Sequence, residues 1–141
     1  MKDKLWTVLG LVIAHAAAAA VNFIFLLWKM QDSWLKLVFL AVTLLYLGVW
    51  GWYIAKGRRP AVGAVVFSLM LIVSVFGAVV AYFSLLADWF IPVVILLWSP
   101  MAGLGAIICE DVLVWIAAAV ISAAMIVFSI IRAKKLRDGN E

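Results

Sequence analysis

A single cysteine, Cys109, and a single histidine, His15, among 141 residues remove several chemistries at once. One thiol makes no intrachain disulfide, CxxC redox pair or zinc cluster, and its expected role is that of a small apolar side chain. One imidazole excludes bis-histidine haem ligation within a chain. The sequence holds no GxSxG, P-loop or HExxH motif and no paired intramembrane aspartates. Common hydrolase, NTPase and intramembrane protease chemistries therefore lack their parts. Charge is scarce as well, at 13% of residues, about half the share in a soluble domain. No cofactor and no metal is expected.

What fills the space is apolar: 70% of the residues are hydrophobic. A chain this short cannot enclose that much apolar surface in a core, since small domains bury too small a fraction of it. Lipid is the solvent that accepts the excess. The net charge of +4 does not point to nucleic acid. Its cations sit in three short tracts beside apolar runs (Lys2/Lys4; Lys56/Arg58/Arg59; Arg132/Lys134/Lys135/Arg137), with no aromatic-interleaved binding motif.

The apolar runs predict an all-α polytopic bundle. Its transmembrane part covers residues 1–131, with spans at about 5–28, 34–55, 61–86 and 112–131, and a polar tail follows at 132–141. The first run imitates a secretory signal, with Lys2 and Lys4 ahead of it and a small-x-small triplet at Ala14-His15-Ala16. It continues through Phe23, Ile24, Phe25, Leu26 and Leu27, past any normal signal core, and reads as an uncleaved span. Lys36, near the outer end of the second span, can snorkel to the headgroups.

Segment 90–108 is apolar enough to be a fifth span. A fifth crossing would place Arg132–Arg137 outside and Glu110-Asp111 inside, inverting the charge rule. Pro92, Ser99, Pro100, Gly103 and Gly105 also break helix rather than continue it. The segment is therefore expected to be a re-entrant hairpin of two short pieces, 91–98 and 101–108, on the extracytoplasmic side. Such a break is tolerated only against protein or a wet cavity. With both termini cytoplasmic, nine of the eleven basic residues lie inside and only Lys29 and Lys36 outside. The expected location is a bacterial plasma membrane, with Trp6, Trp28, Trp34, Trp50, Trp52, Trp89 and Trp115 as an interfacial belt.

His15 falls near mid-membrane, and Asn22 follows at i+7 on the same helical face, with Ala18 and Ala19 between them. An intramembrane ionisable group of this kind points to a proton-sensitive or solute-binding site. The plainer alternative is a neutral histidine that joins two helices by hydrogen bonds, which the lack of an acidic partner at that depth favours slightly. Thr43, Tyr46, Trp50 and Tyr53 form a stripe at i, i+3, i+7 and i+10. It reads as a bundle face ahead of an aromatic wall for a cationic or apolar ligand. Small residues recur at helical spacing in spans two to four, including Gly48, Gly51 and Gly77, as close helix packing in lipid requires.

Asp88, Glu110 and Asp111 could gather at the outer face around a cation or as an acid/base pair. Capping of the last helix by Asp111 explains them more simply. The break Ser99, Pro100, Gly103, Gly105 exposes backbone groups, either as a half-helix site or as the turn of the hairpin. The mid-membrane pair and the broken segment together point to a small-solute transporter or channel, or a subunit of a transport complex. An accessory or assembly subunit docking a larger membrane protein is the second expectation. A membrane enzyme acting on lipid at the outer face is a distant third. The expected partners are membrane lipid and either further copies of the chain or a larger membrane protein.

Overall fold

The computed structural model describes residues 2–28, 33–56, 60–83, 90–108 and 110–138. Four long helices account for most of it: α1 (Lys2–Trp28), α2 (Ser33–Lys56), α3 (Ala61–Tyr82) and α5 (Asp111–Asp138). Between α3 and α5 lies an inner segment that opens with the single turn α4 (Ile91–Val93). It widens to π-helix over Val94–Trp98 and tightens to 3-10 helix over Ser99–Ala106. Among the described residues there is no strand.

Helix wins because each run is apolar on every side. On α3 the inward face is Gly63, Phe67, Met70, Val73, Ser74 and Gly77. Its outward face is Val62, Val65, Leu69, Ile72, Val75 and Val79, all exposed. A helix greasy all round is stable only in lipid or a large core, and this chain has no large core. Trp34–Lys56, Ala61–Tyr82 and Val112–Asp138 are long and apolar enough to cross a membrane. Shorter apolar helical stretches run over Thr7–Phe23 and Ile91–Ala106. This architecture is compatible with a small integral membrane protein.

Side-chain pairs fix the register of the helices. His15 meets Tyr46 and Asn22 meets Thr43, so α1 and α2 are antiparallel. Trp50 packs on Phe67 and Gly63 lies against Ile54, so α2 and α3 are antiparallel as well. Gly63 also lies against Ser129 and Gly77 against Trp115, which makes α3 and α5 antiparallel. The inner segment therefore leaves α3 and enters α5 at one and the same end of the bundle. It starts with Phe90 beside Phe76, reaches Leu96 beside His15, and comes to Gly103 against Phe39. Both flanks lie six or seven residues, about 10 Å, nearer that end than the level of Met70 and Tyr46.

Three glycines make the close approaches. A Cβ on Gly77 would enter the Trp115 ring, and one on Gly63 would come within 2.7 Å of Ile54 Cγ1. A Cβ on Gly103 would meet the Phe39 carbonyl oxygen itself. Around these contacts sits a core of Trp50, Ile54, Phe67, Met70, Trp98, Met101 and Ala118. The Trp98 and Trp115 rings stack at 3.9 Å, and the Trp98 indole N–H donates to Ser74 Oγ at 3.1 Å.

Three sequence expectations change. The break at Ser99, Pro100, Gly103 and Gly105 is not an open loop: the segment doubles back while staying helical, with its pitch changing from π to 3-10. Its physical cause is Pro100, which supplies no N–H to the α-helical ladder. The tail does not end the last helix near residue 131, because α5 runs on to Asp138. Arg132, Lys134, Lys135 and Arg137 are good helix formers and complement the negative C-terminal dipole. Trp50 leaves the interfacial belt for the core, and Trp115 is half-buried against Gly77, while Trp34 and Trp52 are exposed as the belt requires. Trp89 and the side chains of Trp6 and Trp28 fall outside the described residues.

Candidate functional site

The polar atoms of α1 and α2 converge on two backbone carbonyls of the inner segment. In an α-helix the Leu96 carbonyl would accept from the N–H of residue 100, and residue 100 is proline. His15 Nε2 takes that place, 2.8 Å from Leu96 O. A carbonyl only accepts, so Nε2 carries the ring proton in the neutral imidazole, and Nδ1 is left as an acceptor. Tyr46 Oη lies 3.0 Å from Nδ1. The two rings meet edge-on, with centroids 5.6 Å apart.

Four residues further along the inner segment, the Pro100 carbonyl takes two side-chain donors. Asn22 Nδ2 donates at 3.0 Å and Thr43 Oγ1 at 2.8 Å, while Asn22 Nδ2 lies 2.9 Å from Thr43 Oγ1. Asn22 and Thr43 are fully buried. Asn22 Oδ1 is buried with no hydrogen-bond partner among the described residues. An unpaired buried acceptor costs about 1–3 kcal/mol. Gly103 completes this corner, because only the absence of a side chain there lets the 3-10 turn press on the α2 backbone. His15 and Asn22, one face apart by seven residues, thus anchor α1 to successive turns of one broken helix.

The second ring of contacts is aromatic. Tyr46, Trp50 and Tyr53 are buried, and Trp50 packs edge-on against Tyr46, Tyr53 and Phe67. The stripe is a filled packing face, and its polar members Thr43 and Tyr46 turn to α1. Beside His15 an apolar groove of about 360 Å³ opens on the outside of the bundle, lined by Val12, Ala16, Ala19, Phe23, Ile95 and Leu96 as well as the imidazole.

The outer acids are not brought together within what is described. Glu110 is exposed, Asp88 lies outside the described residues, and so does the side chain of Asp111. No group of three metal-binding side chains occurs among the described residues. Sequence reasoning found His15, Asn22, Thr43 and Tyr46 but put them in two unrelated stripes. It missed the carbonyl acceptors at Leu96 and Pro100. For Leu96 the signal was present, since a proline at i+4 removes the α-helical donor to the carbonyl at i; the Pro100 carbonyl, four residues before Leu104, carried no such mark. No protein-family model, curated protein or solved structure gives a significant match to the chain.

Proposed function

We propose that this is a small-solute transporter or channel, or a transport-complex subunit, with four crossing helices at about 5–28, 34–55, 61–86 and 112–131. The inner segment enters and leaves on the extracytoplasmic side, and both termini and the 132–141 tail are cytoplasmic in a bacterial plasma membrane. The antiparallel register of α3 and α5 supports the re-entrant path, and the basic tracts support the orientation. One observation carries the functional reading: three polar side chains, His15, Asn22 and Thr43, meet two backbone carbonyls of an irregular helix in a membrane-type bundle, and Tyr46 bonds His15. Irregular backbone at that depth is the device by which transporters hold solutes and coupling ions. Asn22 Oδ1 supplies an open acceptor there.

The test is uptake of a panel of small polar solutes into proteoliposomes. His15→Ala is expected to cut uptake about tenfold and to erase its variation between about pH 5 and pH 8, the range where imidazole changes charge. Unchanged uptake and pH response would remove His15 from the site.

A second reading, docking to another membrane chain, has its own support. Gly48 and Gly51 have no neighbour within 4 Å of where a Cβ would sit, unlike Gly63, Gly77 and Gly103. Gly48 lies in an open, apolar outer face of α2 with Ala41, Leu45, Val49 and Trp52. Small residues that pack on nothing within their own chain suit a helix from another. Gly48→Leu is expected to shift the complex size in detergent while leaving the unfolding temperature of the chain within a few degrees. If the size stays the same, this docking face is removed.

A further inference from the structure

We infer that His15 is a proton-binding site in which the Tyr46 hydroxyl reverses direction, so that every donor of the pair has an acceptor in both protonation states without movement of a helix. The observations are three distances around one side chain. His15 Nε2 lies 2.8 Å from Leu96 O, Nδ1 lies 3.0 Å from Tyr46 Oη, and Tyr46 Oη lies 3.8 Å from Met70 Sδ.

The proton count distinguishes two arrangements. In the neutral ring Nε2–H donates to Leu96 O, and the single hydroxyl proton of Tyr46 donates to the Nδ1 lone pair. Met70 sulfur then receives nothing. When a proton binds, it occupies the Nδ1 lone pair, and Nδ1–H donates to the Tyr46 oxygen. The hydroxyl proton rotates about its C–O bond to Met70 Sδ, a weak acceptor within reach. Nε2–H keeps Leu96 O throughout. One proton is taken up, no covalent bond of the protein is broken, and every N–H and O–H of His15 and Tyr46 keeps an acceptor.

The neighbours do not decide the matter electrostatically. The one titratable side chain facing His15 from α2 is Tyr46, and the groups facing it from the inner segment and α3 are the Leu96 carbonyl and, through Tyr46, the Met70 thioether. No charged side chain of α1, α2, α3 or the inner segment stands beside it among the described residues. The imidazolium is held by oriented dipoles, strongest at Leu96, whose carbonyl lacks its α-helical donor because residue 100 is proline. The imidazole also lines the outer groove, which exposes one edge of the ring. As a coupling ion for a solute the proton rests on the transport reading, but the site itself does not.

The experiment uses the full chain in lipid nanodiscs with ¹⁵N-labelled histidine, where one histidine gives an unambiguous spectrum. The resting ring is expected as the Nε2–H tautomer with a bare Nδ1, and acidification is expected to protonate both nitrogens. Tyr46→Phe removes the acceptor of the charged form and is expected to weaken proton binding about tenfold, because charge-assisted bonds exceed neutral ones. Met70→Leu, which keeps volume, is expected to weaken it less, about threefold. An Nδ1–H tautomer at high pH, a ring that stays neutral to pH 5, or a Tyr46→Phe protein titrating like the parent would each overturn the site. A titrating ring in a protein that moves no solute would leave the site standing and remove the transport reading alone.

Discussion

Gly103→Ala is expected to destabilise the folded chain by about 3 kcal/mol or more, the largest single-methyl effect in the molecule. The added carbon would coincide with the Phe39 carbonyl oxygen and lie 2.5 Å from Thr43 Oγ1. Backbone cannot yield as a side-chain tip does, so the cost sits at or above the upper end for overpacking. The inner segment would have to lift from α2, taking the Pro100 carbonyl away from Asn22 and Thr43. Thermal unfolding in detergent, followed by tryptophan fluorescence, reads the effect through buried Trp98. Gly48→Ala, on the open face, is the control and is expected within about 0.5 kcal/mol of the parent. Equal stabilities for the two variants would mean that the 3-10 turn does not press on α2 as described.

The second large effect separates stability from the site. Pro100→Ala restores an N–H four residues after Leu96, offering that carbonyl its α-helical donor. His15 Nε2 then competes with that N–H for the Leu96 carbonyl. The helical gain, up to about 3 kcal/mol for losing an interior proline, offsets the packing lost where Pro100 is buried. Stability is therefore expected to stay within about 1 kcal/mol of the parent. The fixed Nε2–H tautomer is expected to be lost, and uptake to fall about tenfold, the equivalent of one hydrogen bond to a charged ring. A variant that keeps both tautomer and uptake would show that the proline does not set the position of His15.

Much of this architecture is legible in the residues, and the limit of legibility is physical. All-round apolar runs declare helices for lipid, and the i+7 spacing puts His15 and Asn22 on one face. The stripe of Thr43, Tyr46, Trp50 and Tyr53 marks an inward face of α2 for the same reason of period. What spacing along one helix cannot give is the register between two. That His15 meets Tyr46 while Asn22 meets Thr43 depends on how α1 slides along α2. The glycines show the same limit: Gly48 and Gly77 look alike in sequence, yet one faces open space and the other a tryptophan ring. Proline at 100 announces a disrupted ladder, but whether the chain turns or changes pitch depends on what surrounds it. Here packing against the surrounding helices keeps the segment helical while its path doubles back and its pitch changes.

The glycine contacts are spread unevenly over the bundle. Gly63 and Gly77 notch α3 into α2 and α5, and Gly103 notches the inner segment into α2. The α1 helix packs without a glycine notch: Gly10 has open space beside it, and the alanine stretch from Ala16 to Ala20, with Ala18 buried, lets the helix lie close to α2 and the inner segment. His15 and Asn22 add hydrogen bonds to that packing, and such bonds are either made or broken. A change of pitch in the inner segment would therefore reach α1 directly, through its packing and through two catches that engage or release.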